Sequence, residues 1–211
     1  MKKNFPIGTV VLFGSLVLLA GIVIAVLSKT TAQIPQELAA VLRPVPRAIQ
    51  AFEFIDQTGK PYTQEDLSGK WTFVFFGYTY CPDICPTTLS VLTSLTKHLQ
   101  GQIKSTNDPQ TLLISVDPQR DKPELLKKYL AFFHKDFVGI TAADDKTLAL
   151  ARQFGAMYFK EEKGDPKNYL VAHASSIYLV NPRGEMVASF SPPHDYKTIA
   201  SQFRAILKLK L

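Results

Sequence analysis

Trp71-Thr72-Phe73-Val74-Phe75-Phe76-Gly77-Tyr78-Thr79-Tyr80-Cys81-Pro82-Asp83-Ile84-Cys85-Pro86 is a nearly continuous apolar run that leads into a cysteine pair. Trp71 to Phe76 has the length of one strand and little polar alternation, the pattern of a strand buried on both faces. Thr87 to Leu99 follows, with Leu89, Leu92, Leu95 and Leu99 close to a 3.6-residue period. A buried strand running into a helix places the cysteines at the carboxyl end of a sheet, where open α/β sheets carry their sites.

Outward from this stretch, strand and helix patterns alternate. Phe52 to Ile55 reads as a short strand, followed by the turn residues Asp56-Gln57-Thr58-Gly59. Leu112 to Val116 and Ile177 to Val180 are two more apolar runs of strand length. Asn181-Pro182-Arg183-Gly184 then forms a turn, and Met186 to Phe190 reads as the returning strand of a hairpin. Helices are expected from Glu124 to Phe133, with Pro123 in the first turn, from Thr147 to Phe154, and from Tyr196 to Leu207. The class is α/β, with a central mixed sheet flanked by helices. The order of elements is similar to that of thioredoxin. There is no internal repeat.

The N-terminus differs from the rest. Residues 4–28 contain no charged side chain, and residues 7–27 are almost wholly apolar. Roughly 20 such residues cross a bilayer as a helix. Lys2 and Lys3 precede the run, which by the positive-inside rule keeps the N-terminus cytoplasmic and the remainder across the membrane. The alternative is a cleaved signal peptide, but its apolar region is usually only about 7–15 residues. Residues 1–28 are therefore expected as a transmembrane anchor. Residues 29–50, with Pro35, Pro44 and Pro46, are expected as a linker, and 51–211 as the domain. The run is not rich in Arg and Ser, which argues for a bacterial inner-membrane protein with a periplasmic domain and against a mitochondrial transit peptide. Of the net charge of +6, four units lie in residues 1–50, where Lys2, Lys3, Lys29, Arg43 and Arg47 face only Glu37. The small surplus left on the domain is no nucleic-acid footprint.

The two cysteines close too short a loop for a structural disulfide to stabilise the chain much. Their position suits chemistry better, since unpaired N–H groups and the dipole at a helix start stabilise a thiolate. On a helix, C-x-x-x-C puts both sulfurs on one face, with α-carbons about 6 Å apart along the axis. That separation also admits a disulfide, so spacing leaves metal binding and redox chemistry both open. Two thiolates select soft metals, chiefly Cu(I) and Zn, and a closed zinc site would need four ligands. Of the four histidines, His98, His134 and His194 lie near helix ends, where dipole, capping or solvent partners account for them. His173, in Tyr169-Leu170-Val171-Ala172-His173-Ala174-Ser175-Ser176, enters the strand Ile177 to Val180. In a thioredoxin-like fold that loop faces the start of the cysteine helix, so His173 is the candidate third ligand.

Three blocks together resemble the Sco/SenC family of copper-binding assembly factors. Phe76 to Pro86 looks like its cysteine motif. Ser115-Val116-Asp117-Pro118-Gln119-Arg120-Asp121 with Pro123-Glu124 looks like its second signature, and His173 with Tyr178-Leu179-Val180 its histidine block. The likeness runs from about residue 51 to the end. It implies a metallochaperone without turnover that binds copper, as Cu(I) or Cu(II), through Cys81, Cys85 and His173. It further implies delivery to, or thiol reduction at, the binuclear copper site of cytochrome c oxidase, with that oxidase's copper-bearing subunit and other copper chaperones as partners. One departure is Ala172, where the family commonly has Asp. Its absence removes an acidic neighbour able to orient the imidazole. Asp117, Arg120 and Asp121 read first as a local ion pair and a cap for the next helix, and second as groups near copper or a docking partner. Asp83 is not assigned as a ligand. The alternative function is a thiol-disulfide oxidoreductase in which Cys81 attacks and Cys85 resolves, without need of His173. A peroxidase-like role has no use for the second cysteine, and an inert domain with a structural disulfide is the remaining reading.

Overall fold

The apolar run after Trp71 lies in the middle of an eight-stranded sheet, and all six of its strand residues are buried. The sheet contains β1 (Leu42–Ala48), β2 (Glu53–Asp56), β3 (Pro61–Thr63), β4 (Thr72–Gly77), β5 (Gln110–Ser115), β6 (Val138–Thr141), β9 (Ile177–Val180) and β10 (Glu185–Phe190). A separate hairpin is made of β7 (Tyr158–Lys160) and β8 (Val171–His173). The spatial order is β1-β10-β9-β4-β5-β6-β2-β3. β4 pairs in parallel with β5 and β5 with β6, whereas β9, β10, β1, β2 and β3 join antiparallel. The sheet is thus mixed and the fold thioredoxin-like. The helices are α1 (Ile84–Leu99), α2 (Pro123–Phe133), α3 (Asp144–Phe154) and α4 (Tyr196–Lys208). This computed structural model describes residues 14, 16–21, 35–101, 108–161 and 169–209.

Helices cover both faces of β4, as its lack of alternation requires. Successive side chains of a strand point to opposite faces. Phe73 meets Phe203 of α4 with ring centroids 5.3 Å apart, while Phe76 meets Phe154 of α3 at 5.4 Å. Gly139 of β6 lies under α2, where a Cβ would come within 2.5 Å of Leu130. The glycine lets that helix sit close to the sheet, and it also hides a four-residue strand from a pattern search.

The folded body begins before residue 51, which corrects the expected linker. Compact units divide at residue 36, and the larger runs from Glu37 to Leu211. β1 lies inside the supposed linker and pairs with β10 as an edge strand, with its register shifted between Leu42 and Arg47. Prolines are tolerated on such an edge, since an outward N–H is not needed for pairing. Leu38 and Ile49, on either side of β1, are buried. α3 also starts three residues earlier than expected, at Asp144, with Asp144 and Asp145 at the positive end of the helix dipole.

Most of the expected anchor, residues 1–28, lies outside the described residues. Residues 14 and 16–21 are helical, with Leu16, Val17, Leu18 and Leu19 exposed. Among the described residues no helix is long and apolar enough to cross a membrane.

Candidate metal centre

β4 ends at Gly77, and the chain turns at once, the Cys81 N–H donating to the Tyr78 carbonyl at 3.3 Å. α1 begins only at Ile84, its ladder opened by the Thr87 N–H donating to the Asp83 carbonyl at 3.2 Å. The cysteines are therefore not one turn of a single helix, as the spacing suggested. The Cys81 amide is committed to the turn leaving the strand, so Cys81 stands ahead of the helix and Cys85 in its first turn. The Cys85 N–H, an orphan of that first turn, donates to Cys81 Sγ at 3.4 Å. A Cβ at position 77 would lie 2.9 Å from Cys85 Sγ and 2.8 Å from Phe75. Only glycine lets the helix start pack this closely on the strand end.

His173 arrives from the other side, at the end of β8. Its Nε2 is 3.3 Å from Cys85 Sγ, and the ligand atoms of Cys81, Cys85 and His173 all lie within 4.8 Å of one another. The ring stands edge-on to Phe75 and Tyr78, with centroids 5.8 Å from each. His173 Nδ1 is 3.0 Å from the Ala174 carbonyl. The carbonyl can only accept, so Nδ1 carries a proton, and Nε2 is the ring atom turned toward the sulfurs. Ala172 pairs with Phe159 and, by strand alternation, points away from the face that carries His173. The side chain at 172 therefore does not line the cluster.

The two sulfurs differ. The hydrogen bond from Cys85 holds the Cys81 thiol down to about 3 against the opposing effect of burial, helped by His173 and by the N–H groups of Cys85 and Asp83. The same hydrogen bond, with burial, pushes the Cys85 thiol up. Cys81 is half-buried and Cys85 fully buried, and both are free cysteines. Two sulfurs and an imidazole nitrogen form a soft, largely buried donor set that fits a copper ion.

Other residues take positions the sequence did not reveal. Asp121 does not cap α2, whose N-cap is Lys122 with no side-chain cap bond. It turns inward instead, accepting from the Thr79 hydroxyl at 2.6 Å and the Ser115 hydroxyl at 2.7 Å, and so braces the cysteine loop. Its carboxyl is raised, chiefly by burial. Asp117 does pair with Arg120, as expected of a local ion pair. His98 meets Arg204 at 3.0 Å, His134 accepts from the Asp136 N–H at 3.3 Å, and His194 donates to the Ser175 carbonyl at 2.8 Å. None of these three joins the cluster. Tyr78 and Tyr169 were missed. Tyr78 lies in a run already rich in aromatics and Tyr169 stands apart from any motif, and neither carries a local signal for its contacts.

A protein-family model described as SCO1/SenC matches residues 42–208, starting at β1. An SCO2-like protein of Rickettsia prowazekii is 32% identical over 209 residues, covering 97% of this chain and 99% of that protein. The crystal structure of Arabidopsis thaliana ScoI with copper bound is 33% identical with a TM-score of 0.70, over 76% of this chain and 99% of that one. BsSco, described as a member of the Sco family of cytochrome c oxidase assembly proteins with a disulfide switch, is 27% identical with a TM-score of 0.62, over 80% and 98% of the two chains. With the match spanning nearly the whole folded body, the chain belongs to the SCO1/SenC family.

Proposed function

We propose that this protein carries one copper ion on Cys81, Cys85 and His173 for assembly of the binuclear copper site of cytochrome c oxidase. The supporting observation is the 3.3 Å approach of His173 Nε2 to Cys85 Sγ, which adds a nitrogen to the two sulfurs. Thiolates favour Cu(I), and the imidazole extends the range to Cu(II). Half-buried Cys81 is the ligand an incoming thiol reaches first, while Cys85 and His173 hold from behind. The recipient is the copper-bearing subunit of the oxidase, and other copper chaperones are candidate donors. In this reading residues 1–28 anchor the protein to the bacterial inner membrane with the domain in the periplasm, supported by Lys2 and Lys3 ahead of an uncharged stretch.

A second reading, thiol-disulfide exchange, is favoured by the lowered, accessible Cys81 beside a buried Cys85 and by the disulfide switch of BsSco. In it the Cys81 thiolate attacks a partner disulfide and releases one partner thiol. Cys85 loses its proton and displaces the second, so the partner gains two electrons and a Cys81–Cys85 disulfide remains. Anaerobic titration of the reduced protein with Cu(I) against a competing chelator separates the readings. One equivalent bound tightly, and lost in Cys81→Ser or Cys85→Ser, supports the carrier. Weak binding with a readily cycled disulfide supports exchange.

A further inference from the structure

We infer that Arg120, through Tyr169 and Asp117, is a positioning residue that sets His173 against the cysteines; the inference rests on the copper-carrier reading above. β7 and β8 form their own two-stranded sheet, so no ladder bonds join the strand of His173 to the main sheet. Tyr158 ties the hairpin to α3 through Asp144 at 2.9 Å. On the cysteine side the attachment is made by the segment 169–173 itself. Tyr169, Val171 and His173 are spaced two apart, and each is anchored there. The Val171 N–H donates to the Tyr78 hydroxyl at 3.1 Å, and the His173 ring lies against Phe75 and Tyr78. The Tyr169 hydroxyl donates to Asp117 Oδ1 at 2.6 Å.

Arg120 joins these pieces. Its Nε donates to the other oxygen of Asp117, which is fully buried. Its guanidinium carbon lies 3.8 Å from the centre of the Tyr169 ring, 4.8 Å from that of Tyr80 and 5.7 Å from that of Tyr78. Both terminal nitrogens are buried and have no hydrogen-bond partner among the described residues. Leaving two such donors buried and unused is costly. The guanidinium therefore acts here by its charge and its faces, packed among the rings of Tyr78 and Tyr80 of the cysteine loop and of Tyr169 of the histidine segment. Lysine has no planar face and cannot replace it. Loss of this clamp frees Tyr169, four residues before His173, while the cysteines keep their own braces at Gly77 and Asp121.

The test is a pair of double-mutant cycles on the full chain. Arg120→Lys and Tyr169→Phe are each made alone and on His173→Ala, and Cu(I) affinity is read by anaerobic chelator competition. Tyr169→Phe keeps the ring beside Arg120 and deletes only the hydroxyl, so it carries the test if Arg120→Lys does not fold. Loss of an outer partner typically weakens metal binding about 10–100-fold. We expect a loss of about tenfold or more from either change alone, and none once His173 is already alanine. An equal loss in the His173→Ala background, or no loss in either single variant, overturns the inference. If the native chain itself binds Cu(I) only weakly, the carrier reading falls and takes this one with it. If the native chain binds tightly and the variants do too, only the positioning role falls.

Discussion

Cys85 Sγ and His173 Nε2 stand 3.3 Å apart although 88 positions separate them in the chain. The sulfur comes from the first turn of α1, rooted in the main sheet, and the nitrogen from a hairpin outside it. The centre therefore divides into a dithiol half and an imidazole half. His173→Ala should lower Cu(I) affinity by at least about 100-fold, beyond the upper range for loss of an outer partner. It should leave reduction and reoxidation of the cysteine pair near native rates. Chelator competition and dithiothreitol kinetics read the two halves separately. Native copper affinity in the variant would remove His173 from the ligand set.

Gly77 links the sheet to the dithiol half. A methyl group there would stand 2.9 Å from Cys85 Sγ and 2.8 Å from Phe75 Cε1, both in the buried core. Neither neighbour has free space, so the start of α1 has to shift. Overpacking of this kind costs about 1–3 kcal/mol. Gly77→Ala should lower the urea midpoint accordingly and weaken copper binding even under conditions where the variant is folded. A variant with native affinity would show that the helix start can move without disturbing the cysteines.

The legible parts of this chain were those with strong local signals. Trp71 to Phe76 announced a doubly buried strand because both of its faces meet helices, and Cys81 and Cys85 announced themselves by spacing and position. His173 needed the fold and the cysteine pair, since one histidine beside an apolar run has no local mark. β7 and β8, at three residues each, are too short to show a period. β1 was hidden because Pro44 and Pro46 read as coil, although an edge strand accepts them. The bond from Tyr169 to Asp117 joins positions 52 apart, and nothing local to either residue points to the other.

The asymmetry of the two sulfurs has a pH signature in the reduced, metal-free protein. The Cys81 thiol is held down to about 3 in the fold, whereas a free thiol titrates near about 8.5. A depressed folded value stabilises the fold fully above the free-thiol range, and that contribution is lost as pH falls toward the folded value. Cys85 is shifted the other way and remains a thiol in both states below about pH 8.5, so it adds little slope in this window. The difference in urea midpoint between native protein and Cys81→Ser should therefore be larger at pH 8 than at pH 4. Equal differences at the two pH values would mean that Cys81 is not held as a thiolate by its neighbours.

β1 makes the start of the folded body testable. A chain beginning at residue 51 lacks Leu38 and Ile49, which are 0% and 7% exposed, and leaves β10 as an unpaired edge. Burying one such aliphatic side chain is worth about 1.5–3 kcal/mol, so the shorter chain should be less stable than one beginning at residue 37 by at least about 2 kcal/mol. Denaturant unfolding of the two chains side by side measures this directly. β1 pairs only with β10 in the sheet, and β9 stands between that pair and the cysteine strand β4. Copper affinity should therefore be the same in both chains wherever both are folded. Equal unfolding midpoints would instead mean that residues 37–50 act as the linker their prolines suggest, with the strand pairing adding nothing to stability.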